Sequence, residues 1–103
     1  MPTAQAILSA ADALGRLIDD HPFAEENPQA IAALRRLCAE LRKHDPRAGD
    51  IAIQICANAQ IFYSRWSRVR MNHDPVALYT EMRVDLIQQL RALATELIDE
   101  DTD

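Results

Sequence analysis

Apolar residues recur along the chain at intervals of three and four positions, which is the spacing of a helix that buries one face. This pattern predicts four helices, over approximately residues 4–20, 28–43, 50–71 and 75–99. Their apolar stripes are, in order, Ile7, Ala11, Leu14 and Ile18; Ile31, Leu34, Cys38 and Leu41; Ile51, Ile55, Ala59, Phe62, Trp66 and Val69; and Tyr79, Met82, Leu86, Leu90, Leu93 and Leu97. Each apolar stripe must be shielded from water, so we expect the helices to pack on one another.

Helix-start signals divide the chain at the same places. Asn27-Pro28, Asp45-Pro46 and Asp74-Pro75 each place an Asx side chain before a proline. An Asx N-cap accepts a backbone N–H that has no partner within the helix, and proline at the first helical position has no N–H to satisfy. The third helix can begin at Pro46 and pass through Gly49, or it can begin after Asp50 as its cap, and the sequence leaves both starts open.

Short connections favour antiparallel neighbours, so the sequence predicts an all-α fold, an antiparallel up-down-up-down four-helix bundle. In this prediction residues 1–98 form a single helical-bundle domain and residues 99–103 form an acidic C-terminal tail. The topology places Cys38 level with Cys56, which allows a disulfide, and the favoured interpretation is a pair of reduced, buried thiols. Phe23, in the polar loop after the first helix, is expected to pack under one end of the bundle.

The composition narrows the class of protein. Only 2 of the 103 residues are glycine, and the 49% of hydrophobic residues include few aromatics, which favours helices. The formal net charge of −5 disfavours a nucleic-acid partner, because affinity for phosphate backbones rests on clustered positive charge. No apolar run is long enough to span a bilayer, and no positively charged signal region is present at the N-terminus. We therefore expect a soluble, cytoplasmic protein without membrane association.

The sequence gives little support for metal or cofactor chemistry. His21, His44 and His73 each adjoin a proline or an Asp-Pro pair, which places them at helix ends, and the chain contains no Glu-x-x-His. We therefore predict no metal site, no cofactor and no catalytic residue, and the sequence favours a protein that is not an enzyme.

The third predicted helix ends in a stretch rich in aromatic and basic residues. Phe62, Trp66 and Val69 lie on its buried stripe, which predicts that they pack in the core. Other side chains flank the stripe, Tyr63 and Arg70 at one edge and Arg65 and Arg68 on the opposite side.

Arg83 falls within the apolar arc of the fourth predicted helix. In the favoured interpretation its aliphatic stem packs on the core and its guanidinium reaches the surface or a carboxylate. In the other, Arg83 belongs to a binding pocket, because Tyr, Trp and Arg dominate binding hot spots. That pocket comprises Tyr63, Trp66, Arg70, Tyr79 and Arg83.

Ile53 and Ile61 lie off the main stripe of the third predicted helix, so another element or another chain is expected to cover them. We therefore predict a protein partner, with a homodimer as one form of it. The predicted function is a small helical protein-interaction module (an adaptor, chaperone, inhibitor or immunity-type protein) that binds through an Arg/aromatic helix face. The predicted binding residues are Tyr63, Arg65, Trp66, Arg68, Arg70, Tyr79, Arg83, Ile53 and Ile61.

A second interpretation starts from Arg68 and His73, which are separated by four residues. This spacing resembles the Arg/His motif of four-helix HEPN-type ribonucleases, which cleave RNA without a metal ion. The resemblance implies that Arg68 holds the scissile phosphate and that His73 transfers a proton. Val69 stands where that motif often has a polar residue, and Arg16 and His21 have the same spacing. The alternative function is an RNA-binding or metal-independent RNA-cleaving, HEPN-like domain.

Overall fold

The computed structural model describes residues 2–101, and every regular element in this part of the chain is a helix, as predicted. The helices are α1 Pro2–Asp20, α2 Pro28–His44, α3 Pro46–Phe62, α4 Arg65–Met71, α5 Pro75–Thr80 and α6 Leu86–Asp101. A π-helical segment, Glu81–Asp85, joins α5 to α6, and the backbone angles at both junctions are helical. The last three elements therefore form one continuous rod.

The three Asx-Pro pairs start helices as predicted, and in each pair the Asx side chain accepts a backbone hydrogen bond from the first turn. The bonds run from Ala30 to Asn27 at 3.0 Å, from Arg47 to Asp45 at 2.8 Å and from Val76 to Asp74 at 3.0 Å. Helix α3 begins at Pro46 and passes through Gly49, which is the earlier of the two helix starts that the sequence leaves open.

The predicted third helix does not continue to residue 71, because the helical backbone is interrupted between α3 and α4. Ser64 has an extended backbone (φ −127°, ψ 106°), and its Oγ accepts the Ser67 N–H at 3.3 Å as the N-cap of α4. A serine hydroxyl can accept a hydrogen bond from a nearby backbone N–H, and this bond competes with the backbone hydrogen bonds of a continuous helix. Because α4 leaves the line of α3, Trp66 and Val69 are 69% and 72% exposed, and the prediction that they pack in the core is wrong.

The core is built from the predicted stripes. Helix α1 packs on α2 and α6, and α3 packs on the same two helices. The stripe residues that are buried include Ile7, Ala11, Leu14, Ile18, Leu34, Cys38, Leu41, Ile55, Ala59, Phe62, Met82, Leu86, Leu90, Leu93 and Leu97. Phe23 is 73% exposed, so its expected packing under the bundle end is wrong, and Phe62 and Tyr63 are buried there instead.

Helix α6 continues to Asp101 and so includes most of the predicted acidic tail, whereas residues 102 and 103 lie outside the described residues. Glu100 in this part of α6 pairs with Arg47 at the start of α3, with 3.7 Å between the charged atoms. Of the helices between residues 2 and 101, none is long and apolar enough to cross a membrane.

Candidate functional site

Tyr63 joins the end of α3 to the loop between α1 and α2. Its phenol donates a hydrogen bond to the His21 carbonyl oxygen at 2.8 Å, and its own carbonyl accepts the Asn27 N–H at 2.9 Å. The Phe62 ring meets the Tyr63 ring edge-on at 4.9 Å between centroids, and it lies 5.6 Å from the Tyr79 ring. Burial raises the pKa of the Tyr63 phenol, which keeps it a neutral hydrogen-bond donor.

Helix α4 is fixed at both ends. The Arg65 backbone N–H donates to Glu26 Oε2 at 2.8 Å. The Arg68 guanidinium donates to the Phe62 carbonyl oxygen, one of the carbonyls that the end of α3 leaves without a helical partner. Asn72 closes α4 in the left-handed conformation (φ 52°), with its N–H donated to the Arg68 carbonyl. These contacts hold the outer face of α4 toward solvent.

Four large apolar side chains are exposed at this end of the molecule, and we call Phe23, Trp66, Val69 and Val76 the end surface. They are 73%, 69%, 72% and 72% exposed. Trp66 and Val69 are three positions apart on α4 and so share one face. Between Phe23 and Val76 lies a pocket of about 250 Å³ with Phe62 and Tyr79 in its lining.

The end surface differs from the predicted site. Of the predicted binding residues it includes Trp66, with Tyr79 in the adjoining pocket, whereas Tyr63 is fully buried beneath it. Arg65 and Arg70 are exposed on α4, and Arg68 is half-buried. Ile61 is half-buried against the core, and Ile53 lines a groove between α2 and α3.

Arg83 adopts the favoured of its two predicted arrangements. Its guanidinium forms two hydrogen bonds with the Asp19 carboxylate, at 2.8 and 3.0 Å, and these bonds hold the pKa of Asp19 below its usual range. The guanidinium lies over Gly15, where a Cβ would stand 3.3 Å from its central carbon. Arg83 therefore links the last helix to α1 across the surface.

Sequence reasoning missed Phe23, Val69 and Val76 as surface residues. Phe23 follows Pro22 in a loop and belongs to no periodic stripe, whereas Val76 is three positions before Tyr79 and continues the apolar arc of the fourth predicted helix, which predicts burial. The available signal for Val69 was Ser64, a capping residue inside an apparently continuous helix.

Of the two residues of the ribonuclease-like pattern, Arg68 lies in the middle of α4 and His73 follows the end of that helix. The Arg68 guanidinium donates to the Phe62 carbonyl at the end of α3, whereas His73 is exposed beyond the end of α4. The His73 backbone N–H donates to the Arg68 carbonyl at 3.3 Å. These contacts give both residues a part in helix termination.

Comparison with models of protein families, with curated proteins and with solved structures finds no match to this chain. Among residues 2–101, no three His, Cys, Asp or Glu side chains are grouped so that they could hold a metal ion. Function is therefore inferred from the geometry of the end surface.

Proposed function

We propose that this chain is a protein-binding module whose end surface accepts a segment of another protein. The observation that carries the proposal is the exposure of Phe23, Trp66, Val69 and Val76, each more than two thirds exposed at the same end. Covering apolar surface contributes roughly 25 cal/mol for each Å² removed from water. Phe23 and Val76 border one pocket, and Trp66 and Val69 share one face of α4. Exposed apolar groups that are grouped mark interaction surfaces, whereas isolated ones need no explanation.

We also infer that the four long helical rods form an antiparallel up-down-up-down bundle. Two ion pairs between α1 and the last rod support opposite directions: Asp12 pairs with Arg91, and Asp19, further along α1, pairs with the earlier Arg83. In this arrangement the loop after α1, helix α4 and the start of α5 share one end of the bundle. A partner segment can then contact all three.

The chemistry of this end favours a segment with one large apolar side chain flanked by acidic residues. The pocket between Phe23 and Val76 is lined mainly by apolar and aromatic side chains and suits an aromatic or leucine anchor. Arg65 and Arg70 are exposed on α4, and no ion pair within residues 2–101 involves either of them. Acidic flanking residues would therefore find guanidinium groups without an ion-pair partner at the same end of the molecule as the anchor.

A displayed library of random peptides tests this proposal with a defined probe. We expect the wild-type chain to enrich peptides that combine an aromatic residue or leucine with Asp or Glu. Val76→Ser is expected to weaken their binding at least about tenfold, because it removes apolar contact at the pocket rim. Val84→Ser is the matched control: Val84 is also on the last rod and is 56% exposed, but it lies outside the end surface.

Three outcomes would overturn the proposal. The first is the absence of any enriched peptide, and the second is equal loss of binding in Val76→Ser and Val84→Ser. The third is salt-dependent binding of RNA that Arg65→Ala and Arg70→Ala abolish while no peptide is enriched, since phosphate contacts release counterions. That result would favour the nucleic-acid alternative.

A further inference from the structure

The two cysteines of the chain share a groove on the side of the molecule, away from the end surface. The groove lies between α2 and α3, has a volume of about 400 Å³, and is lined by Cys38, Cys56, Arg35 and Arg42 among others. Both cysteines are free thiols; Cys38 is buried, at 7% exposure, and Cys56 is half-buried. A small molecule in the groove can therefore reach Cys56 more easily than Cys38.

The Cys56 thiol reaches the backbone of α2, where its Sγ donates a hydrogen bond to the Leu34 carbonyl oxygen at 3.9 Å, one helical turn before Cys38. Helices α2 and α3 approach closely along this groove, because Gly49 has no side chain: a Cβ there would lie 3.2 Å from the Arg42 Cα. A disulfide needs its two Cα atoms within roughly 7 Å, and the close packing of α2 on α3 places both cysteines in the wall of one groove.

The thiols are chemically unequal. The hydrogen bond from Cys38 lowers the pKa of Cys56, and the positive charge of Arg35 acts in the same direction. The same hydrogen bond raises the pKa of Cys38, and burial adds to the effect. Cys56 is also the more exposed of the two thiols, so it is the one that attacks, since the reaction needs both access and the thiolate form.

We propose that Cys56 and Cys38 form a reversible oxidation site that reacts with a hydroperoxide. The Cys56 thiolate attacks one peroxide oxygen, an S–O bond forms and the O–O bond breaks, and the leaving oxygen is protonated to water or an alcohol. Cys38 then attacks the sulfenic sulfur, an S–S bond forms, and the S–O bond breaks with release of water. Two thiols are oxidised to one disulfide, and one peroxide is reduced.

The two steps have different access requirements. Only Cys56 must meet the peroxide, whereas Cys38, at 7% exposure, needs to reach only the Cys56 sulfur in the same groove. The inference is independent of the proposed protein-binding function.

Intact-mass measurement of the full chain after treatment with hydrogen peroxide tests the proposal. We expect the wild type to lose the mass of two hydrogen atoms and both alkylatable thiols together, and to regain both on reduction with dithiothreitol. Cys38→Ser is expected to accumulate a sulfenic acid at Cys56 that dimedone traps. Cys56→Ser is expected to oxidise at least about tenfold more slowly than Cys38→Ser.

The wild-type measurement decides the proposal even where a variant folds poorly. Sulfinic acid at Cys56 with Cys38 still alkylatable, or two thiols that remain unreacted, would overturn it. Equal oxidation rates in the two folded single variants, with folding checked by circular dichroism, would overturn the assignment of Cys56 as the attacking thiol.

Discussion

Tyr63 and Trp66 lie three positions apart, on either side of the junction between α3 and α4, and their surroundings are opposite. Tyr63 is fully buried and makes hydrogen bonds that join α3 to the loop after α1, whereas Trp66 is 69% exposed. The turn at Ser64 separates them. One aromatic residue is thereby used to close the end of the core, and the next is left available to a partner.

The largest effect expected from this difference is on stability. Tyr63→Ala should lower the free energy of unfolding by about 3–5 kcal/mol, because it removes a buried ring and leaves a cavity. Trp66→Ala should change it by less than about 0.5 kcal/mol, as is usual for an exposed position. Urea denaturation followed by circular dichroism measures both. Similar losses in the two variants would contradict the division between core and surface.

Much of the fold follows from periodicity. The stripes through Leu14, Leu34 and Leu90 are buried as predicted, because no local signal competes with the helical pattern around them. The helix starts at the Asx-Pro pairs could also be predicted from the sequence, since capping is a local interaction between a side chain and the first turn.

Most of the end surface could not be predicted from the sequence pattern. Periodicity assigns residues to faces only within a helix of known length, so a break at Ser64 reverses the assignments of Tyr63 and Trp66. Phe23 lies in a loop, and its exposure depends on which side chains already fill the end of the core. Arg83 shows the converse: a charged residue in an apolar arc indicated a long-range partner, but the sequence could not name Asp19.

A smaller effect concerns alkaline pH. Burial raises the pKa of Tyr63 in the folded chain, so its stabilising contribution is complete below the unfolded pKa of about 10 and is lost as the pH rises above that value. Above about pH 10 the wild type should lose roughly 1.4 kcal/mol of stability per pH unit through this group.

Tyr63→Phe isolates that loss, because it keeps the ring and removes the titrating hydroxyl. At neutral pH the variant should be about 1 kcal/mol less stable than the wild type, through the lost hydrogen bond to His21. The deficit should disappear near pH 11, where ionisation of unfolded Tyr63 has cost the wild type about as much. Stability curves that stay parallel from pH 7 to about 11 would show that Tyr63 titrates as an exposed phenol does.

The smallest effect tests what holds the junction itself. Ser64→Ala removes the N-cap of α4 and should lower the free energy of unfolding by about 1 kcal/mol. Helix α4 is also held by the bond from Arg65 to Glu26 and by the bond from Arg68 to Phe62, so we expect Trp66 to stay exposed. Trp66 is the one tryptophan in the chain, so acrylamide quenching of its fluorescence reports its exposure directly. Protection from quenching in Ser64→Ala would mean that the serine cap alone keeps α3 and α4 apart, and the end surface would then depend on a single hydroxyl.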